Sequence, residues 1–292
     1  MGTPERFVVE GRYSSRSIGR RGRGARGPGG QGAGGLGVAF EQWLTALEER
    51  HLADLRVPEV TRALRALSSA YVERRAGGSS AAIRRVADTL DTAGKRAAFA
   101  LFYAPLHFLA VSSVVQALNA DSPAPTSIID LGCGTGVAGA AWALAAGGTS
   151  MVTGIDRHPW ATAEARWTYA RLGVRGRAKQ GDIARLPRVE RGDAIVAAYT
   201  LNELPDSARA GVEDQLMTAA ERGAGVLVVE PISRRAAPWW DVTAERVISA
   251  GGRADEWKFE TALPPLVERF DRAAGLNHRV IGCRSFYFSA SR

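Results

Sequence analysis

The sequence has few of the residues that build disulfide frameworks and metal sites. Its 292 residues include two cysteines and four histidines, and no two histidines have the H-x-x-H or H-E-x-x-H spacing of metal-binding helices. Cys133 and Cys283 are too few for a disulfide framework or for a four-thiolate metal site within one chain. We therefore predict no metal centre and a reducing, cytoplasmic environment.

Net positive charge is concentrated at the N-terminus. The formal net charge is +8, but seven arginines and two glutamates place +5 of it in residues 1–35. The other 257 residues carry about +3, so no strongly basic folded surface is expected. Residues 11–37 are rich in Arg and Gly, which predicts a disordered tail over residues 1–37. Such a tail is typical of arms that bind RNA phosphates and equally of solvated extensions without a partner.

Charge is absent from residues 97–120, a run long enough to suggest a transmembrane helix. Pro105, His107 and several Ser, Gln and Asn side chains interrupt it, and the next residue, Asp121, is acidic. We therefore expect no membrane span, but a buried helix that is kinked at Pro105 and covers one side of the functional pocket.

Helical periodicity precedes this run. Apolar residues recur three and four positions apart from Val38 onward, and a second such series follows Pro58. A third helix is predicted from Ala81 to about Ala93, after a Gly-Gly-Ser-Ser break. We expect residues 38–120 to form a helical N-terminal region.

Glycine is concentrated in the stretch Ser127-Ile-Ile-Asp-Leu-Gly-Cys-Gly-Thr-Gly136. An apolar run that ends in an acid, with glycine at every second position after it, predicts a buried strand and a loop too tight for Cβ atoms. The G-x-G-x-x-G spacing and the lysine of phosphate loops are both missing, and no Lys or Arg lies between Ile128 and Leu144. The loop therefore suits a ligand with a cationic amino-acid end rather than a phosphate.

The pattern Asp130-x-Gly132-x-Gly134-x-Gly136 resembles the first motif of the Rossmann-like, class I S-adenosylmethionine-dependent methyltransferases. The resemblance implies that this loop passes under the methionine part of the cofactor. Asp130 has an alternative role, as a cap for the helix that follows the loop.

Acidic residues also follow the next two predicted strands. Asp156 ends the second strand, where open α/β sheets place a carboxylate on ribose hydroxyls. Asp182 and Ile183 follow the third strand, at the position where the methyltransferases hold the adenine amino group. His158 and Trp160 either flank the adenine or pack against the next helix.

A fourth apolar strand, residues 193–199, leads into the turn Thr200-Leu-Asn-Glu-Leu-Pro205. Substrates of open α/β sheets bind at the carboxyl ends of strands, so Tyr199, Asn202 and Glu203 are the candidates for holding or deprotonating a methyl acceptor. Asn202 and Glu203 could equally begin a helix, with Asn202 as its cap. The turn lacks the paired prolines of enzymes that methylate base amino groups, and neither cysteine is placed for 5-methylcytosine chemistry.

Five short apolar strands separated by helical stretches predict a doubly wound, mostly parallel α/β sheet. The terminal region adds a strand around residues 257–261, a helix over Pro265–Ala274 and a last strand over Val280–Phe288. This order suits an antiparallel hairpin at the sheet edge. Residues 121–292 are thus predicted to form a seven-stranded methyltransferase domain.

Pieces outside the cofactor motifs resemble a narrower family, the methyltransferase-like proteins associated with the small ribosomal subunit. They are residues 95–106, the 197–205 turn, and residues 228–231, 257–259 and 285–288. That family includes mitochondrial ribosome assembly proteins and bacterial relatives, which implies RNA or the small ribosomal subunit as a partner. Its members usually carry cluster-binding cysteines before and beside the tryptophan. Residues 251–257 contain none, and Lys258 follows Trp257, so no metal cluster is expected.

Three functions fit these patterns. The chain could be an S-adenosylmethionine-dependent methyltransferase that acts on rRNA or a ribosomal component. It could instead act on a small molecule, which the missing cysteines and the nearly neutral body would fit. It could also be an assembly factor that binds the cofactor without turnover, because Asn202 and Glu203 have a structural interpretation.

Overall fold

The computed structural model describes residues 33–74 and 90–290, and it contains one seven-stranded sheet. The strand order is β3-β2-β1-β4-β5-β7-β6; β7 pairs antiparallel with β5 and β6, and the other strand pairs are parallel. The strands are β1 Ser127–Leu131, β2 Met151–Asp156, β3 Gly176–Gln180, β4 Ala194–Ala198, β5 Gly225–Pro231, β6 Arg253–Glu260 and β7 Val280–Phe288. The predicted doubly wound α/β fold with its antiparallel edge hairpin is confirmed.

Eight helices accompany the sheet in the part of the chain that the structure describes. They are α1 Ala33–His51, α2 Val57–Arg74, α3 Ala93–Leu118, α4 Val137–Ala145, α5 Pro159–Arg171, α6 Asp206–Glu221, α7 Trp240–Ser249 and α8 Pro265–Ala274. Helix α1 begins at Ala33, five residues before the predicted border between tail and helix at residues 37 and 38. Residues 1–32 of the predicted tail and most of the predicted third helix lie outside the described residues.

Helix α3 contains an irregular turn where the sequence predicted a kink at Pro105. Residues Phe99–Tyr103 form a π turn, and the backbone N–H of Ala104 donates to the carbonyl of Phe99, five residues earlier. Proline has no N–H and its ring crowds the carbonyl four residues before it, so a widened turn beside it relieves both effects. Helix α3 is long and apolar enough to cross a membrane, but 67% of its most apolar window is buried against other parts of the protein.

The N-terminal helices and one face of the sheet share a continuous hydrophobic core. Phe40 stacks on Phe108 of α3 with ring centroids 4.8 Å apart, and Trp43 of α1 is fully buried beside them. The buried carboxylate of Glu164 in α5 accepts hydrogen bonds from Arg50 (3.2 Å) and His51 (2.8 Å) at the end of α1. These contacts fix the N-terminal helices against the domain that carries the glycine loop.

Candidate active site

The glycine loop between β1 and α4 has the conformation that its sequence predicts. Gly132, Gly134 and Gly136 all have positive φ, at +62°, +51° and +81°, a region that side chains with a Cβ rarely adopt. A Cβ on Gly132 would lie 2.4 Å from Cγ2 of Thr200, and one on Gly136 would lie 2.7 Å from the ring of Tyr169. The loop therefore packs tightly against Thr200 on one side and Tyr169 on the other. Between these contacts, Gly134 lines the cavity described below.

Asp130, at the end of β1, is 1% exposed. Its carboxyl oxygen accepts a 2.9 Å hydrogen bond from the backbone N–H of Gly139 in α4. This contact is the one expected if Asp130 holds the helix that follows the loop. Burial, with a contribution from the nearby charge of Asp156, raises the pKa of Asp130 to about 7. Asp130 also lines the cavity, and contact with the cofactor stays a prediction.

Asp156, at the end of β2, connects two backbone segments of the site. One carboxylate oxygen accepts from the N–H of Gly134 at 2.9 Å, and the other accepts from the N–H of His158 at 2.8 Å. Each oxygen can accept more than one hydrogen bond, so these contacts leave capacity for the hydroxyls of a ribose. The carboxylate therefore connects the glycine loop to the start of α5.

The residues predicted to hold adenine lie along the same cavity. Asp182 and Ile183 line it just after β3, and Asp182 accepts a 2.9 Å hydrogen bond from the N–H of Ala184. His158 also lines the cavity and caps α5, where its Nδ1 accepts from the N–H of Trp160 at 3.1 Å. Trp160 packs beside His158 with ring centroids 6.4 Å apart, and it is not among the residues that line the cavity.

The turn after β4 carries the three predicted catalytic residues, and all three line the cavity. Tyr199 has an unusual φ of +56° and stacks on His107 of α3, with ring centroids 3.9 Å apart. Burial raises the pKa of Tyr199 well above its ordinary value and lowers the pKa of His107 to about 3. At neutral pH both rings are therefore uncharged, and Tyr199 can donate a hydrogen bond but cannot act as a base.

Asn202 and Glu203 lie in a 3₁₀ turn, Leu201–Glu203, that precedes α6. The alternative in which Asn202 caps a helix is wrong, because α6 begins at Asp206 after the rigid φ of Pro205, and the Asn202 side chain makes no capping hydrogen bond. Its Oδ1 is buried without a hydrogen-bond partner among the described residues. An unsatisfied buried polar atom is costly, which favours a functional role for this side chain.

Glu230, near the end of β5, was not among the predicted site residues. One of its carboxyl oxygens accepts hydrogen bonds from the N–H groups of Thr200 (3.1 Å), Leu201 (2.7 Å) and Asn202 (3.4 Å). Burial raises the pKa of Glu230 to about 8, although these three donors act in the opposite direction. The sequence signal was an acid at the end of an apolar strand, the same signal that identified Asp130 and Asp156.

One cavity of about 710 Å³ is lined by the glycine loop, by the acids at the ends of β1 and β2 and after β3, and by the turn after β4, and this volume is typical of small-molecule sites. Helix α3 covers it with Phe99, Tyr103 and His107. Four acidic side chains and one guanidinium line it among the described residues: Asp130, Asp156, Asp182, Glu203 and Arg157. An excess of acids around a glycine loop fits a cationic ligand such as a sulfonium with an amino group better than it fits a phosphate. No group of three or more His, Cys, Asp or Glu that could hold a metal ion occurs in the described segments.

Comparison with known proteins agrees with this geometry. The sequence profile of the methyltransferase-domain family matches residues 128–223, which include the glycine loop and the 201–203 turn. No curated protein matches the chain.

Several solved structures are similar in fold. A magnesium protoporphyrin IX methyltransferase from Synechocystis with bound S-adenosylmethionine is 17% identical, with a TM-score of 0.43 over 63% of this chain and 80% of that one. An S-adenosylmethionine-dependent methyltransferase from Aquifex aeolicus is 16% identical, with a TM-score of 0.40 over 59% and 86%. One from Clostridium acetobutylicum is 10% identical, with a TM-score of 0.38 over 63% and 92%. The family match identifies a methyltransferase domain over residues 128–223, for which S-adenosylmethionine is the cofactor, and the seven-stranded sheet has the class I methyltransferase fold.

Proposed function

We propose that the methyl acceptor is rRNA or another component of the small ribosomal subunit, and that it enters the cavity at the 201–203 turn. One observation supports the site assignment: a single cavity is lined by the glycine loop, by Asp130, Asp156 and Asp182 near the ends of β1, β2 and β3, and by Asn202. The resemblance of residues 90–292 to the ribosome-associated methyltransferase-like proteins supports this class of acceptor.

The chain's own residues have three tasks in this reaction. Bound S-adenosylmethionine supplies a methyl group that is already activated on a sulfonium, so the protein mainly has to align a nucleophile with it. Asn202 holds the acceptor through its side-chain amide. Glu203 takes the proton that the acceptor loses if its nucleophilic atom carries one. The uncharged rings of His107 and Tyr199 exclude water from the space between them and the acceptor.

A small-molecule acceptor is the second candidate. The cavity lies under α3 and is lined with aromatic side chains and acids, an environment that suits a compact, uncharged or cationic acceptor. A polyanion would reach this cavity only by inserting a single base.

The first test is calorimetric titration of S-adenosylmethionine into the full chain and into Asp130→Asn and Asp156→Asn variants. We expect the wild type to bind and both variants to bind at least about tenfold more weakly, a loss of about 1.4 kcal/mol. Asp214→Asn, which changes an exposed acid paired with Arg246, is the matched control and should bind like the wild type. Wild-type protein that is folded but does not bind the cofactor would contradict the site assignment.

The second test is transfer of a radiolabelled methyl group to purified small ribosomal subunits, to their free rRNA and to a panel of small amines and phenols. Label in rRNA or a subunit protein that disappears in Asn202→Ala supports the proposal. Label only in a small molecule would move the assignment to the second candidate. Tight cofactor binding with no transfer to any of these acceptors would favour an assembly factor without turnover.

A further inference from the structure

Charge in the folded part of the chain is strongly uneven. Residues 157–188 contain eight Arg or Lys and two acids, a net charge of +6. With +5 in residues 1–35 and +8 overall, the rest of the chain is net negative. This cationic segment comprises α5, the edge strand β3 and the loops around them.

Six of these cations lie along one edge of the sheet, and we call them the basic edge: Arg157, Arg166, Arg171, Arg175, Arg177 and Lys179. All six are exposed. Lys179 and Arg177 lie on β3, the outermost strand, and Arg166 of α5 donates a 3.0 Å hydrogen bond to the carbonyl of Ala178 in that strand. Arg166 therefore reaches from α5 to the backbone of β3, so the cations of the helix and of the strand flank the same edge of the sheet.

The basic edge runs toward the cavity. Arg175 to Lys179 cover about 13 Å of extended chain, and the carboxyl end of β3 lies at the cavity. There the side chain of Gln180 donates a 3.1 Å hydrogen bond to the carbonyl of Arg157, which itself lines the cavity. A polyanion lying on the edge would thus reach the rim of the cavity at the end that carries Asp182.

These charges are available to a partner. Within residues 33–74 and 90–290, none of the six cations forms an ion pair with an acid. Lys and Arg on an edge strand also prevent pairing with strands of other molecules, and that role alone would explain Arg177 and Lys179. It does not explain Arg157 and Arg171, which lie outside the strand.

An aromatic platform accompanies the charges. Trp167 of α5 is half-buried, and the guanidinium of Arg171 lies 5.5 Å from its ring centroid while that of Arg50 lies 4.9 Å away. Cations that alternate with aromatic side chains are typical of surfaces that bind single-stranded nucleic acid.

We propose that the basic edge is a docking surface for the phosphate backbone of RNA, and that it guides the strand to the cavity. The choice of RNA rests on the proposed acceptor, whereas the surface itself follows from the charges and their exposure. In sequence, the basic edge lies outside the Arg/Gly-rich N-terminal segment.

The test uses the full chain and a fluorescently labelled single-stranded oligoribonucleotide, with affinity measured by anisotropy over a range of salt concentrations. The edge variant changes Arg171, Arg175, Arg177 and Lys179 to Gln. A matched control changes four exposed cations outside the edge to Gln: Arg56, Arg62, Arg222 and Lys258. Each phosphate contact contributes about 0.7 to the slope of log affinity against log salt on a single strand. We expect the edge variant to lose about 3 from this slope and at least tenfold in affinity at low salt, and the control to lose less than about 1.

Three results would overturn the proposal. If both variants lose the same amount of RNA affinity, the effect is general charge attraction. If neither variant loses RNA affinity, the RNA binds through the N-terminal segment. The edge variant could also keep its RNA affinity and lose binding to phosphatidylserine vesicles, which would make the edge a membrane surface. Titration of S-adenosylmethionine into the same variants separates these outcomes from failure of the proposed function, because neither set of substitutions removes a residue assigned to the cofactor.

Discussion

The carboxyl group of Glu230 accepts a 2.7 Å hydrogen bond from the backbone N–H of Leu201. The same oxygen accepts from the N–H groups of Thr200 and Asn202, so a buried acid on β5 determines the shape of the turn after β4. Thr200 in turn fills the space beside Gly132, and its hydroxyl donates to the carbonyl of Leu131 at 3.2 Å. Glu230 therefore connects the turn that meets the acceptor to the loop that meets the cofactor.

Replacing Glu230 should reveal this connection. Glu230→Ala leaves buried N–H groups without an acceptor, and each unsatisfied group costs about 1–3 kcal/mol. We expect a loss of at least about 2 kcal/mol in the free energy of unfolding, measured with urea, and weaker cofactor binding. Glu230→Gln keeps one acceptor oxygen and should lose about 1 kcal/mol or less. Equal effects of Ala and Gln would argue against the hydrogen bonds as the cause.

Stability should also depend on pH through the buried acids. Burial raises the pKa of Glu230 to about 8 and of Asp130 to about 7, from ordinary values of 4.5 and 3.8. An acid whose pKa is raised by folding contributes stability that is complete below its unfolded pKa and is lost as the pH rises through its folded pKa. Between about pH 5 and pH 8 the free energy of unfolding should therefore fall, by up to about 1.4 kcal/mol per pH unit for each such proton.

The pH series has its own control. Glu230→Gln removes one of the two titrating groups, so its free energy of unfolding should fall less steeply with pH than that of the wild type. Asp214→Asn should have the wild-type slope, because it alters an exposed acid. A wild-type stability that is flat or rises over this range would show that these acids are ionised in the folded protein.

The glycine loop offers a matched pair of substitutions. Gly132 and Gly173 both have positive φ, +62° and +68°, but a Cβ at Gly132 would lie 2.4 Å from Thr200, whereas one at Gly173 would meet no atom within 4 Å. Both alanine variants carry a conformational cost of about 1–2 kcal/mol. Only Gly132→Ala should also lose S-adenosylmethionine affinity in calorimetry. Similar losses of affinity in both variants would mean that general destabilisation, not the steric clash, impairs the site.

The contact between α1 and α5 is testable in the same way. Glu164 is 1% exposed and pairs with Arg50 and His51. Glu164→Gln removes the charge partner of the Arg50 guanidinium and leaves one amide oxygen for two donors, and losing a hydrogen bond to a charged group costs about 1.5–3 kcal/mol. Asp214→Asn, which breaks the exposed pair with Arg246, should cost less than about 1 kcal/mol. Thermal unfolding of both variants measures the difference.

Local patterns in the sequence were sufficient for much of the fold. The helix Pro265–Ala274 and the strand Val280–Phe288 were predicted with the bounds that the structure has, because apolar periodicity and a proline at the start are local signals. The glycine loop was predictable for the same reason. Its three positive φ angles are a property of a few consecutive residues.

Features that depend on distant parts of the chain were not predictable. The role of Glu230 requires β5 to pair with β4 in one particular register, with Val229 opposite Ala198. The stack of His107 on Tyr199 joins residues far apart in sequence. The net charge of the folded part did not reveal the basic edge. That net charge is small because acids elsewhere in the chain offset the cations around β3.

The N-terminal helices and the sheet share one hydrophobic core, so the segment that matches the family profile packs against residues outside that segment. The family profile covers residues 128–223, yet the side chain of Trp142 in α4 donates a hydrogen bond to the carbonyl of Ala120, and its core neighbours extend back to Phe40 and forward to Cys283. A fragment cut at the borders of the profile would expose the hydrophobic side chains that pack against the rest of this core. The segment that matches the profile is therefore smaller than the unit that folds.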